Sequence, residues 1–196
     1  MRESDQTGKS RQDSKEKNVR RLSCTSVVLL SATLFVLADS PRGYYRFPAI
    51  HGDDIVFSAE GDLWRVGLQG GLARRLTSHP GEESHCAISP DGKMLAFSAQ
   101  YEGPTEVYTM PLDGGLPTRR TFQGERALVT GWTPDSKVLY TTEHFSTLPD
   151  DRLFVIDLKT GRSAPLPLSQ ASDGTFDAAG KTLFFTRLPF QGSSTK

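Results

Sequence analysis

The feature that most constrains this chain is a phrase that returns at near-constant spacing: a polar turn, a short apolar strand, a second strand, a Gly-rich turn and an Arg-Thr strand. Ser89-Pro90-Asp91-Gly92-Lys93 leads into Met94-Leu95-Ala96-Phe97, Thr133-Pro134-Asp135-Ser136-Lys137 into Val138-Leu139-Tyr140, and Asp177-Ala178-Ala179-Gly180-Lys181 into Thr182-Leu183-Phe184-Phe185. Lys93, Lys137 and Lys181 are 44 residues apart, within the range of about 40 to 50 residues seen for propeller blades. An earlier copy opens on Gly52-Asp53-Asp54 before Ile55-Val56-Phe57. In the downstream halves, Leu68-Gln69-Gly70-Gly71 and Leu112-Asp113-Gly114-Gly115 precede Arg74-Arg75-Leu76-Thr77 and Arg119-Arg120-Thr121.

Each copy reads as strands. The segments 106–110, 152–158 and 183–186 are short, rich in β-branched and aromatic residues, and bounded by Asp-Gly, Gly-Gly or Pro turns. No apolar stripe of helical period is long enough for a helix beyond residue 40. Two-residue hairpin turns need positive φ, which Gly, Asn and Asp tolerate. The second copy predicts four strands, at 84–88, 94–99, 105–110 and 118–122. A lone four-stranded meander leaves its faces bare, so such units pack face to face around a central channel. The expectation is an all-β chain, a partial β-propeller of three and a half four-stranded blades over residues 43–196. The blades fall at about 43–81, 82–124, 125–170 and 171–196 on the repeat spacing.

The N-terminus has another character. Residues 1–21 carry seven Lys or Arg against four Asp or Glu and show no apolar period, which predicts a disordered polar leader. Residues 22–38 are almost wholly apolar or small. A positive flank, an apolar run and small residues at its end fit a secretory signal peptide cut after Ala38. The same 17 residues sit at the short end of what spans a bilayer, so a retained membrane anchor is the alternative. Either way the repeats are expected outside the cytoplasm, in the periplasm or on the inner membrane. Val19 offers a later start to the leader.

Charge narrows the partners. The whole chain is neutral, and beyond residue 38 there are 16 Lys and Arg against 19 Asp and Glu, so no basic footprint for nucleic acid exists. Cys24 lies within the leader and Cys86 would remain single after its removal, leaving no internal disulfide. Cys86, inside a predicted strand, is expected to be a buried, inert thiol.

Catalytic signatures are lacking in the sequence. His79, His85 and Cys86 are close along the chain, but their spacing matches no zinc pattern and they read as turn and strand residues. The carboxylates of Asp173 and Asp177 are too few and too close for a calcium loop. Glu60, Asp62, Glu82 and Glu83 are placed where they could line a channel mouth or serve as solvated loop charges. There is no Gly-x-Ser-x-Gly elbow, phosphate loop or His-Glu-x-x-His. No catalytic, cofactor-binding or metal-ligating set is assigned, and no cofactor is expected. Trp64 and Trp132 are expected to pack between sheets.

Several longer phrases carry a resemblance. Gly43-Tyr44-Tyr45-Arg46-Phe47-Pro48, Ile50-His51-Gly52-Asp53, Glu60-Gly61-Asp62-Leu63-Trp64-Arg65-Val66 and Ala73-Arg74-Arg75-Leu76-Thr77-Ser78-His79-Pro80-Gly81 closely resemble the N-terminal propeller of tricorn-type proteases. Thr105-Glu106-Val107-Tyr108 and Arg187-Leu188-Pro189-Phe190-Gln191-Gly192-Ser193 extend the likeness to the end of the chain. The Pro-Asp-Gly strands alone are shared with TolB-like propellers. The resemblance implies a large, peptide-trimming serine peptidase in which two propellers precede a PDZ-like domain and the catalytic domains. In that family the propellers gate and channel peptides, while the nucleophile and its partners lie far downstream. None of its catalytic positions falls in this sequence. The chain is therefore expected to be the leading part of an exported tricorn-like peptidase, separated from its active site by a frameshift, a premature stop or an incomplete gene model. The alternatives are a free-standing TolB-like module that binds a partner protein in the periplasm, and a non-functional remnant. An open arc of blades would expose apolar faces and favour self-association.

Overall fold

A computed structural model describes residues 43–146 and 150–187. The polar leader, the apolar segment 22–38 and the tail after Arg187 lie outside the described residues.

The first sheet runs β1 (Arg46–His51), β2 (Asp54–Ala59), β3 (Asp62–Gly67) and β4 (Arg74–Arg75). The second runs β5 (Glu83–Ile88), β6 (Met94–Ala99), β7 (Glu106–Pro111) and β8 (Thr118–Arg119). The third comprises β9 (Ala127–Trp132), β10 (Val138–Thr142), β11 (Arg152–Ile156) and β12 (Ser163–Pro165); β13 (Ser172–Phe176) and β14 (Leu183–Thr186) form the fourth. All are antiparallel meanders whose spatial order follows the chain, three of four strands and one of two. This is the expected partial propeller. The described residues contain no helix, and hence none long and apolar enough to cross a membrane.

Three apolar layers join the sheets. Leu95, Phe97, Tyr108 and Met110 pack against Val56 and Leu63 of the first sheet. Ala96 and Val107, on the opposite face, meet Val138, Tyr140, Phe154 and Ile156 of the third. Leu139 and Leu153 form a smaller layer with Ala171, Phe176 and Leu183. Successive side chains of a strand point to opposite faces. A strand sandwiched on both sides therefore needs apolar or small residues throughout, which is why β6 is buried from Leu95 to Ala99. Each large side chain removed from water contributes roughly 1.5–3 kcal/mol.

The phase of the repeat differs from the sequence alignment by one residue. In the second sheet the turn closes between Ser89 N and Met94 O (2.8 Å), and in the fourth between Asp177 N and Thr182 O (2.9 Å). In the third it closes between Thr133 N and Lys137 O (2.8 Å), one residue sooner. The true counterparts are thus Met94, Lys137 and Thr182, not the three lysines. A one-residue slip exchanges the faces of a strand. Leu95, Val138 and Leu183 accordingly each face the preceding sheet, while Leu139 faces the following one. The left-handed residue of these turns is Gly92 (φ 70°), Ser136 (φ 61°) and Gly180 (φ 68°).

The two tryptophans divide. Trp132 lies in the second apolar layer and donates from Nε1 to Ala87 O of the neighbouring sheet (3.0 Å), as expected. Trp64 is only half-buried and donates to Ala59 O (3.2 Å) within its own hairpin, so it does not bridge sheets among the described residues. It shares the outer face of the first sheet with Phe57, on whose ring Tyr45 stacks edge-on at 5.1 Å.

Replacing Ser136 by Gly removes the cost of holding an L-residue in the left-handed region, about 1–2 kcal/mol, against an entropic loss of about 0.4–1 kcal/mol. Ser136→Gly is expected to raise stability by about 0.5 kcal/mol in denaturant titration; a loss of stability would contradict the turn assignment.

Candidate functional site

The first strands of consecutive sheets, β1, β5, β9 and β13, pack one on the next, forming the inner edge of the stack. Each carries a register break at the same place: between Arg46 and Ala49, between Ser84 and Ala87, opposite Leu139 and Tyr140 in β9, and between Ser172 and Thr175. Three of these bulges hold a non-glycine residue at positive φ: Phe47 (50°), His85 (49°) and Asp173 (50°). Such backbone costs energy and recurs where a side chain must be re-aimed.

These residues share one space. The His85 ring lies 4.0 Å from that of Phe47, and its Nδ1 is 3.0 Å from Ser84 Oγ. Burial pushes the His85 imidazole below its ordinary value, Asp173 draws it back up, and Arg126 and Arg46 add to the lowering. Groups on the first, third and fourth sheets thus act on one ring of the second. Around it, Arg46 pairs with Glu82 (2.7 Å) and Arg126 with Glu143 (3.2 Å), while Asp173 Oδ2 accepts from Thr186 Oγ1 (2.9 Å). The wall is aromatic at one end and of mixed charge along its rim.

The Arg-Thr repeat proves to be a scaffold motif. Arg75 donates from Nη2 to Asp62 and from Nε to Thr77 O, and Thr77 Oγ1 accepts from Leu63 N (2.9 Å). In the second sheet Arg119 donates to Glu106 (2.9 Å) and Thr121 O (2.8 Å), and Thr121 Oγ1 accepts from Val107 N (2.8 Å). Arg75 faces Trp64 across the ladder and Arg119 faces Tyr108, but Pro165 stands opposite Phe154 in the third sheet. The motif stops there because proline has no donor side chain. Glu106 is almost fully buried, and Arg119 is its counter-ion.

The other candidate residues are dispersed. His79 accepts at Nδ1 from Gly81 N (2.9 Å), and its ring lies 4.0 Å from Tyr101, on a groove of about 440 Å³ between the first two sheets. His85 lines the inner strands, and Cys86 donates to Phe47 O (3.0 Å) within the first apolar layer. His79, His85 and Cys86 therefore do not converge. Asp177 caps its turn, held below the usual carboxylate range by backbone donors of which Thr182 N (3.0 Å) is foremost. Glu60 is a left-handed turn residue (φ 55°). Glu82 is exposed, whereas Asp62 and Glu83 are buried, contrary to a solvated loop role. Sequence reasoning missed Tyr101, whose only signal is an aromatic residue in an otherwise polar turn, and the inner bulges, which leave no signal in composition.

Comparison with known proteins agrees with this geometry. Residues 42–196 match the family described as the tricorn protease N-terminal beta propeller domain. Tricorn protease homolog 1 of Streptomyces coelicolor is 36% identical over 132 residues, covering 66% of this chain and 12% of that protein. A tricorn-like protease N-terminal subunit of Sulfurisphaera tokodaii is 28% identical over 139 residues, 67% of this chain and 70% of that protein. The chain thus spans about an eighth of the Streptomyces relative but most of the Sulfurisphaera one. In the crystal structure of the tricorn protease the match has a TM-score of 0.62 at 24% identity, over 69% of this chain and 14% of that one. TolB from Acinetobacter baumannii gives 0.63 at 22%, over 76% and 39%. Both show the same fold.

Burial pushes the Cys86 thiol up to about 12, so alkylation by iodoacetamide at mildly alkaline pH is expected only after unfolding. Rapid modification of the native protein would refute that burial. Arg119→Ala strands the buried Glu106 and is expected to cost about 3 kcal/mol in chemical denaturation. Adding Glu106→Gln to Arg119→Ala should recover part of the loss; no recovery would show that the ion pair is not its source.

Proposed function

The chain belongs to the tricorn protease N-terminal β-propeller family, and from that premise we propose that it forms the polypeptide-admitting wall of an exported tricorn-like serine peptidase. The observation that carries this reading is the aligned set of bulges on β1, β5, β9 and β13. A bulge leaves a residue unpaired in the ladder and re-aims its side chain; the Phe47 carbonyl is taken by Cys86 Sγ, so it is the side chains of these strands that would meet an extended peptide. These side chains, aromatic at Phe47 and His85 and acidic at Asp173, suit a surface that tolerates varied sequence. Gating and guidance of peptides are then the work of this wall, and bond cleavage belongs to domains beyond these residues.

The short Sulfurisphaera relative, named as an N-terminal subunit, supports a propeller that works with catalytic domains carried elsewhere. The outer face of the first sheet and the exposed Phe184 and Phe185 of the fourth are the apolar surfaces through which such assembly, or self-association, would proceed. Export rests on residues 22–38, read as a signal peptide or anchor.

A benzophenone amino acid placed at position 47 or 85 should crosslink to an unfolded polypeptide such as alkylated casein, whereas one at the fully exposed Leu72 should not. Equal labelling at all three positions would overturn the wall assignment. Sequencing of the mature N-terminus is expected to begin at Asp39; a product retaining Met1 would exclude cleavage.

A further inference from the structure

The first strands share one more regularity, from which a single junction departs. By the pairing registers, Phe47, His85, Val129 and Asp173 occupy one position of the repeat, set against Phe57, Phe97, Tyr140 and Phe185 of the second strands. Of the four, Val129 alone pairs with its aromatic in the ladder. It is also the one without positive φ, the others lying at 49–50°. Ser58, Ser98 and Thr141 share a repeat position too. Each stands two residues from a side chain that meets the following sheet, Val56, Ala96 or Leu139, and so points the same way. All three are almost fully buried. Ser98 Oγ accepts from Val129 N across the second junction (2.8 Å), whereas Ser58 Oγ and Thr141 Oγ1 have no hydrogen-bond partner. Positive φ at the bulge, a lost ladder pair and an orphaned hydroxyl on the preceding sheet thus occur together at the first and third junctions, and none occurs at the second. We propose that the peptide units entering His85 and Asp173 are two-position switches: the left-handed position described above, and a docked one like that of Val129, in which the N–H donates to Ser58 Oγ or Thr141 Oγ1.

Rotation of one rigid peptide unit changes ψ of the residue before it and φ of the residue after it, so it accounts for all three features without moving a sheet. Docking relieves the positive φ and satisfies a buried hydroxyl, each of which costs free energy as it stands. Two contacts oppose it. In the left-handed position the His85 ring lies 4.0 Å from that of Phe47, and Asp173 Oδ2 accepts from Thr186 Oγ1 (2.9 Å). Residue type decides which junctions switch. A β-branched side chain such as that of Val129 is a severe outlier at positive φ, which leaves the second junction the docked position only, whereas His and Asp enter that region more readily than most residues. The switch rests on the peptide-admitting wall only for its consequence: because His85 and Asp173 belong to that wall, an extended polypeptide engaging their side chains would draw both to the left-handed position.

Nitrogen-15 relaxation dispersion on the full chain, with no polypeptide added, tests the switch apart from the wall. Exchange on the microsecond-to-millisecond scale is expected at the His85 and Asp173 amides and not at Val129. Ser58→Ala should abolish it at His85 and leave Asp173 unchanged. Thr141→Val, which keeps the side-chain shape, should do the reverse. Each variant removes a buried oxygen that has no partner in the left-handed position, so neither endangers the fold. Flat profiles at His85 and Asp173, exchange of the same size at Val129, or exchange at His85 that survives Ser58→Ala would each overturn the switch. Loss of crosslinking at positions 47 and 85 with the dispersion intact would instead remove the wall and leave the switch standing.

Discussion

Face-to-face burial of consecutive sheets is the constraint on which the rest depends. A four-stranded meander has two faces, and a strand such as β6 is stable only because Leu95 and Phe97 are covered from one side and Ala96 from the other. At roughly 25 cal/mol per Å² of apolar surface, these layers outweigh any single polar contact in the molecule. What the polar contacts contribute instead is register. Trp132 to Ala87 O and Val129 N to Ser98 Oγ both tie the third sheet to the second at one relative position. Apolar packing alone would allow sliding.

How much of this was legible depends on whether a feature is local. The meander order and the strands at 94–99 and 84–88 follow from turn residues and apolar runs, which act over a few residues, and they stand within a residue of β6 and β5. The phase of the third turn was not legible. Thr133 to Lys137 and Ser89 to Met94 differ by one residue in closure, yet both phrases end in a lysine at the same interval. Lysine tolerates either exposed position, so it carries no information about which face its neighbour takes. Val138 and Leu139, both apolar, are equally uninformative. Only the packing partners decide.

Burial of acidic groups was illegible for a related reason. Asp62 and Glu83 lie in stretches that read as loops and strand ends, where a charge is ordinarily solvated. What makes them interior is the partner set: Arg75 for Asp62, and Leu63 N, Thr77 and Tyr101 for Glu83. Most of those partners come from positions 13 to 20 residues away. The Arg-Thr phrase, by contrast, was visible as a repeat, but its meaning was not. Arg119 and Thr121 repeat because one satisfies a buried acid and the other a strand amide. The third sheet, with Pro165 at the Arg place, has no such arginine.

A division of labour follows from the geometry. In the first two sheets Arg-Thr hydrogen bonds hold the outer strand, and the sheet faces hold the stack. Among the strands of the described residues, only the first strands hold non-glycine residues at positive φ, the other two, Glu60 and Ser136, lying in turns. Three non-glycine residues at positive φ on β1, β5 and β13 each cost of order 1 kcal/mol or more, and nothing in the apolar layers requires them, since β9 carries its bulge with no positive φ at Thr130. Strain persists only where the surroundings over-determine it, and the rigid sheets behind these strands supply that. Selection for stability alone would replace Phe47, His85 and Asp173 with glycine or smooth the bulges away. Their presence is therefore better explained by what the inner edge must meet than by how the sheets are held together.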